Sequence, residues 1–192
     1  MDINRHIREK FRVKGEVLLP LSGWLDSNRG HLAELFYELG YKIGAEIGVA
    51  KGANALVLLQ KNPGLKLFCI DPWVQFGRNS QWTLDRHFRW AQLRLAPYNA
   101  EFIKKTSMEA LLDIPDNSLD FVYIDGLHDF DNAMSDLIGW SKKVHSGGIV
   151  SGHDFSYHPS LQVTQAVRGY TDGHGISPWY VTRDDSFFWV KP

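Results

Sequence analysis

The sequence predicts a doubly wound α/β fold, a mostly parallel sheet of about seven strands covered on both faces by helices and closed by a C-terminal antiparallel hairpin. Three observations predict it. Short apolar runs alternate along the chain with segments of helical periodicity. Glycine, proline and asparagine separate them at the places where a compact α/β chain must turn. Two β-branched and aromatic runs near the C terminus flank the polar stretch Arg183 to Ser186, as in a hairpin.

The elements follow in order. Residues 1–30 read as an N-terminal extension of weak helix and loop, and residues 31–192 as a single domain. Arg29 to Leu39 carries Leu32, Leu35, Phe36 and Leu39 on one helical face and stops at Gly40. Lys42 to Gly48 is a buried strand running into a glycine turn. Asn54 to Lys61 is a helix with a polar cap candidate at its start, and Asn62-Pro63-Gly64 ends it. Lys66 to Ile70 is the second strand, closed by Asp71-Pro72. Gln81 to Arg94 places Leu84, Phe88, Ala91 and Leu95 on one face. Phe102 and Ile103 mark a third strand, and Ser107 to Leu112 a short helix. Leu119 to Ile124 is the clearest strand; Phe130 to Lys142 is a helix with Ala133, Leu137 and Trp140 inward. Gly147-Gly148 precedes a fifth strand at Ile149 to Ser151. Val163 to Tyr170 is the last helix, and Tyr180 to Thr182 with Phe187 to Val190 form the hairpin.

Composition narrows the function classes. The chain has 192 residues, 44% hydrophobic and 22% charged, with a formal net charge of −1. That length suffices for a full core without disulfide or zinc staples, and the single Cys69 excludes an internal disulfide. Near-zero charge disfavours a nucleic-acid partner, although Arg86, Arg89 and Arg94 form a modest basic face. No apolar stretch reaches membrane-spanning length, and no secretory segment follows Met1 to Arg5, so no membrane association and a cytoplasmic location are expected. Seven tryptophans, seven tyrosines and eleven phenylalanines are an excess to explain. Trp73, Phe76, Trp82 and Trp90 are candidates for a pocket wall, with core packing the better expectation for Trp90 and Trp140. Tyr157, His158 and Trp179 are weaker candidates on the substrate side. Phe187, Phe188 and Trp189 fit a hairpin core or a homo-oligomer contact.

In a doubly wound sheet a ligand sits beyond the carboxyl ends of the strands. The first strand ends in Glu46-Ile47-Gly48-Val49-Ala50-Lys51-Gly52, where Gly48 and Gly52 let the backbone turn closely past a ligand. The G-x-G-x-x-G dinucleotide fingerprint and the G-x-x-x-x-G-K-S/T phosphate loop are both absent. Asp71, at the end of the second strand, suits the two hydroxyls of a ribose. Together these indicate a ribose-bearing cofactor, either a nicotinamide or a sulfonium. The fourth and fifth strands run into Asp125-Gly126-Leu127-His128 and Gly152-His153-Asp154. Asp125, His128, His153 and Asp154 thus lie at adjacent strand ends, a general base with carboxylate partners or a set of metal ligands. The regular zinc spacings are absent.

These residues carry a resemblance. Ala45-Glu46-Ile47-Gly48-Val49, Ile70-Asp71-Pro72-Trp73, Leu119 to His128, Asp136 and Trp140, and Gly147-Gly148-Ile149 running into Gly152-His153-Asp154 resemble, in this order, a class I S-adenosylmethionine-dependent methyltransferase. The match is to the branch termed methyltransferase family 24, related to macrocin-type O-methyltransferases, and spans roughly Gly44 to Phe155. It implies a Rossmann-like sheet and S-adenosyl-L-methionine as cofactor. Glu46 and the Gly48–Gly52 turn would hold its methionyl part, Asp71 its ribose, Ser107 and Met108 its adenine, and Asp125 would lie near the sulfonium. Metal-dependent relatives carry acids where this chain has Asp125, His153 and Asp154. The His-Asp pair departs from their Asp-Asp or Asp-Asn, which leaves Mg2+ or another divalent metal open. The implied reaction is O-methylation of a small hydroxylated molecule or sugar-containing metabolite, with His128 or His153 as base and Asp125 or Asp154 orienting it or holding a metal. An NAD(P)-dependent oxidoreductase and a non-catalytic cofactor-binding protein are the alternatives on this fold.

Overall fold

The structure is a computed structural model that describes residues 2–13, 25, 27–75, 79–156, 158 and 161–192. Phe76 and Tyr157, two of the candidate pocket aromatics, lie outside the described residues. The elements in chain order are α1 (Ile3–Lys10), α2 (Arg29–Glu38), β1 (Ile43–Ile47), α3 (Ala53–Lys61), β2 (Lys66–Ile70), α4 (Gln81–Leu95), β3 (Ala100–Ile103) and α5 (Ser107–Ala110). They continue with β4 (Leu119–Ile124), α6 (Phe130–Lys143), β5 (Val144–Gly152), α7 (Val163–Gly173), β6 (Tyr180–Val181) and β7 (Phe187–Val190).

The sheet order is β3-β2-β1-β4-β5-β7-β6. β7 runs antiparallel to both its neighbours, and the β1–β5 pairings are parallel. The chain travels outward from β1 to β3, then returns to the other side of β1 with β4. The crevice between the ends of β1 and β4 is therefore the point where strand order reverses, the preferred ligand position in such sheets.

Alternation along the strands sorts the side chains into two cores. Val122 and Ile124 of β4, Val150 of β5 and Phe187 and Trp189 of β7 face α5, α6 and α7. Phe121 and Tyr123, Ile149 and Phe188 face α1 to α4. This period of two is the signature of a sheet buried on both faces. Much of the aromatic excess sits here: Phe36 stacks on Phe121 at 4.1 Å, and Trp73, Trp140, Tyr180 and Trp189 are essentially fully buried. Each such side chain contributes ~1.5–3 kcal/mol or more by burial.

Local rules explain the helix that frames the site. The Asn28 side chain accepts from the N–H groups of Gly30 and His31, and His31 Nδ1 accepts from Asn28 N–H, a reciprocal cap. Leu32, Leu35 and Phe36 are buried, and Gly40 at φ +75° ends the run. The expected boundary at residue 30 falls inside the first turn of this helix. Upstream of it, Ile7 is fully buried and Phe11 packs on Phe188 at 5.7 Å, so α1 shares the core.

Two sequence expectations need correction. β5 begins at Val144 rather than after the glycine pair. Val144 pairs with Leu119 and Ile149 with Phe121, so the residues between them form a bulge with Gly147 at φ +83°. The α3 cap is Gly52, in the left-handed conformation, and not Asn54, whose side chain is buried inside the first turn. Among the described residues no helix is long and apolar enough to cross a membrane.

Candidate functional site

The parallel strands deliver their C-terminal ends to one edge in register. Gly48 N–H donates to Ile70 O, Asp125 N–H to Ile47 O, and His153 N–H to Ile124 O, so the residues just past β1, β4 and β5 stay tied to the sheet. Gly48 has φ +87°, and a Cβ there would lie 1.9 Å from the Asp125 carbonyl oxygen. Only glycine allows β1 and the β4 loop to approach so closely. Ala50 follows at φ +47°, a left-handed position that glycine fills more easily.

Glu46 is the unusual group of this turn. It is 1% exposed, on the face of β1 covered by α3, and one carboxylate oxygen accepts from Asn54 Nδ2 at 3.3 Å. Its other oxygen, and Asn54 Oδ1, have no hydrogen-bond partner. Burial, reinforced by the Asp125 charge, pushes the Glu46 pKa up to about 8. A buried acid with an unpaired oxygen beside a second unpaired acceptor is costly by itself. The same pair is a socket for a cationic or N–H-bearing ligand group.

Asp71 lies where the sequence placed it, at the end of β2. Its two oxygens accept from Ala50 N–H at 2.9 Å and Trp73 N–H at 2.7 Å. Burial raises its pKa and these two bonds oppose the rise. The carboxylate thus braces two left-handed residues, Ala50 and Trp73, and each oxygen keeps a further lone pair. Ser107 is more committed: its hydroxyl donates to Asp136 Oδ1 and accepts from Trp140 Nε1 at 2.7 Å. Burial pushes Asp136 up to about 6, and Ser107 opposes this. Met108, next along, is exposed.

Across the crevice, Asp125, His128 and Asp154 converge. His128 Nε2 lies 2.8 Å from Asp154 Oδ2 and 3.7 Å from Asp125 Oδ1, and one ligand atom from each residue falls within 4.8 Å of the others. The 2.8 Å contact is at ion-pair distance but lacks hydrogen-bond alignment, so His128 Nε2 is unsatisfied in that sense. Asp125 first, then Asp154, raise His128 to about 10 against the effect of burial. His128 and then His153 hold the Asp154 carboxylate well below its usual range. Asp154 sits at φ +60°, a strained conformation for a non-glycine residue. A small pocket lined by Asp125, Leu127, His128, His153 and Phe187 opens beside the cluster.

His153 is turned differently. Its Nδ1 faces Asp154 Oδ1 at 3.2 Å, and its Nε2 meets Arg29 Nη2. Among the described residues the three groups whose ligand atoms converge are thus Asp125, His128 and Asp154, and His153, expected in that set, is not one of them. Two carboxylate oxygens and an imidazole nitrogen, with open space alongside, suit a divalent ion completed by water.

The aromatic candidates divide. Trp73 is buried against Phe88 and Phe102 and donates from Nε1 to Ala50 O, so it supports the glycine turn from beneath. Trp179 is buried against Phe155. Trp90, expected in the core, is 40% exposed, and Trp82 is 66% exposed. The Arg86 guanidinium lies between them, 4.5 Å from Trp82 and 4.8 Å from Trp90. The apolar side of α4 is set by Ala91 and Leu95, and Trp90 falls to its flank. The sequence reading missed Asn54 and Arg29 as site residues. The first carried a signal, an amide near the start of an otherwise apolar helix. The second carried none, because its partners are more than a hundred residues away in the chain.

Known proteins can now be compared with this arrangement. A family model described as a methyltransferase domain matches residues 45–155. An uncharacterized protein of Acanthamoeba polyphaga mimivirus is 27% identical over 127 residues; the match covers 64% of this chain and 56% of that protein. Among solved structures, a candidate caffeoyl-CoA O-methyltransferase from Staphylococcus aureus superposes with a TM-score of 0.63 at 16% identity, over 100% of this chain and 93% of the other. An O-methyltransferase from Bacillus cereus, solved in complex with SAH, gives 0.60 at 16% identity over 97% and 88%. An rRNA methylase from Streptococcus thermophilus gives 0.58 at 13% identity over 84% and 94%. At these identities the structural likeness establishes the fold.

Proposed function

This chain belongs to the methyltransferase-domain family, and on that premise we propose that it transfers the methyl group of S-adenosyl-L-methionine to a hydroxyl oxygen of a small molecule. The observation that carries the reading is the pairing of two features across the β1/β4 crevice: the unpaired buried Glu46 oxygen behind the Gly48 turn, and the Asp125–His128–Asp154 cluster opposite. The first fits the cationic methionyl end of the cofactor, the second an oxygen acceptor.

The residues present fit the cofactor. Glu46, Asn54 and the Gly48–Gly52 turn hold its amino-acid part. Asp71 has lone pairs for ribose hydroxyls, and Met108 would meet the adenine, while Ser107 ties α5 to α6. When bound, S-adenosyl-L-methionine supplies an electrophilic methyl on a positively charged sulfur. Asp125, His128 and Asp154 would hold a divalent cation such as Mg2+, which would supply Lewis acidity at the acceptor. Direct methyl transfer requires the acceptor oxygen to be aligned and to lose its proton. In this reading His128 is a cation ligand and Nε2 of His153 meets Arg29, so neither histidine takes the acceptor's proton, which passes to solvent.

The absence of the glycine fingerprint supports this reading over a nicotinamide-dependent one, as does the family membership. The experiment is transfer of a radiolabelled methyl group to a panel of catechols, sugars and amines, with Mn2+ or with chelator. Labelling of hydroxyl acceptors that falls at least tenfold in Asp125→Asn supports the proposal. Labelling confined to amines, or unaffected by Asp125→Asn and by chelator, removes the assignment of the cluster.

A further inference from the structure

We infer that Arg29 is a positioning residue of this site: it bridges the β6–β7 turn to His153, and through His153 it fixes the Asp154 carboxylate. The inference rests on the proposed role of Asp154 as a cation ligand. Arg29 is the first residue of α2, outside the matched family segment.

Arg29 is itself held as a fixed peg. Its backbone N–H and its Nε both donate to Asp184 Oδ2 at 3.0 Å. The other Asp184 oxygen accepts from Thr182 Oγ1 at 2.5 Å and Ser186 Oγ at 3.2 Å, and the Ser186 hydroxyl contacts the Tyr123 hydroxyl of β4 at 2.9 Å. The turn is also tied to the chain before α2, since Arg183 N–H is shared between Leu25 O and Ser27 O. With Nε so anchored, the guanidinium plane is set and Nη2 is aimed at His153 Nε2.

A guanidinium only donates. The contact therefore needs a lone pair on His153 Nε2, which leaves the proton on Nδ1, pointing at Asp154 Oδ1 at 3.2 Å. With Arg29 in place this geometry requires the neutral ring. One oxygen of Asp154 is thereby engaged by His153, and the other is left toward His128 and Asp125. Asp154 has a strained backbone, so its carboxylate orientation depends on such outside support. Partners that orient a ligand in this way typically change metal affinity by about 10–100-fold when removed. A purely structural peg would need only the Arg29–Asp184 pair, which explains neither the contact with His153 nor its direction.

The test uses the whole chain and two readouts. Long-range 1H–15N correlation of the histidine rings reports the tautomer of His153, assigned by His153→Gln. Calorimetric titration with Mn2+ alone reports the cation site. The expected result is an Nδ1–H tautomer in the wild type that is lost in Arg29→Met. Mn2+ affinity falls at least tenfold in Arg29→Met while affinity for S-adenosylhomocysteine changes less than twofold. The double variant Arg29→Met/His153→Ala binds Mn2+ no more weakly than His153→Ala alone. Arg29→Lys, whose single ammonium cannot serve Asp184 and His153 together, is kept in reserve should Arg29→Met fail to fold, and it shows the same direction. An Nε2–H tautomer in the wild type, a tautomer unchanged by the substitution, or additive losses in the double variant overturns the inference. Failure of the wild type to bind Mn2+ overturns the cation reading of the cluster instead, and the tautomer measurement still decides the role of Arg29.

Discussion

Replacing Glu46 by glutamine stabilises the ligand-free protein, and the gain grows with pH. The carboxyl is 1% exposed, and its pKa rises from 4.5 to about 8. The folded state therefore holds a proton that the unfolded state has released between those values, and folding stability falls as pH rises through that window. Above about pH 8 the full cost is present; below about pH 4.5 it vanishes. Each pKa unit corresponds to about 1.4 kcal/mol, so the full span is at most roughly 5 kcal/mol. The amide keeps the shape and removes the titration. Urea unfolding of both proteins without ligand, at about pH 5.5 and about pH 7.5, isolates the effect, because every other titrating group is common to the two. The stability difference, variant minus wild type, increases by about 2–3 kcal/mol across that interval. The same variant loses affinity for S-adenosylhomocysteine, the trade expected where a strained group exists to bind. A difference independent of pH would refute the claim that Glu46 is an uncompensated buried acid.

Three further outcomes follow from the packing. Gly48→Ala drives a methyl group into the Asp125 carbonyl at a left-handed φ; urea unfolding should show a loss of about 3 kcal/mol or more, with no measurable binding of S-adenosylhomocysteine. Ser107→Ala strips a partner from both Asp136 and Trp140 and should cost about 2–3 kcal/mol in the same assay; a loss under about 0.5 kcal/mol would contradict the shared hydrogen bonds. Trp82→Ala, at an exposed ring, should change stability by less than about 0.5 kcal/mol, whereas Trp140→Ala in the core should cost about 3–5 kcal/mol.

The strand ends were legible because doubly wound sheets bring them to one edge whatever the helices do. Glu46, Gly48, Asp71, Asp125 and Asp154 each sit at the end of a strand that its own apolar run announces, and period-two burial then fixes which face each residue meets. What the chain could not announce was ring orientation. His128 lies near both carboxylates while His153 Nε2 meets Arg29, and Arg29 in turn is bonded to Asp184, on a turn at the far end of the sequence. Trp90 departs from its expected core position for a related reason: helical periodicity locates the apolar face of α4, but Arg86 offers a neighbouring tryptophan a favourable place on the surface. Asn54 looked like a cap because amides favour helix starts, while the left-handed Gly52 had already taken that position.

Calorimetric titration of the wild-type chain with S-adenosylhomocysteine and, separately, with NAD tests the central claim most directly, with Glu46→Gln as the control for the site. The account predicts one S-adenosylhomocysteine per chain, weakened at least tenfold in Glu46→Gln, and no heat from NAD. Binding of NAD without S-adenosylhomocysteine, or S-adenosylhomocysteine binding indifferent to Glu46→Gln, would contradict it.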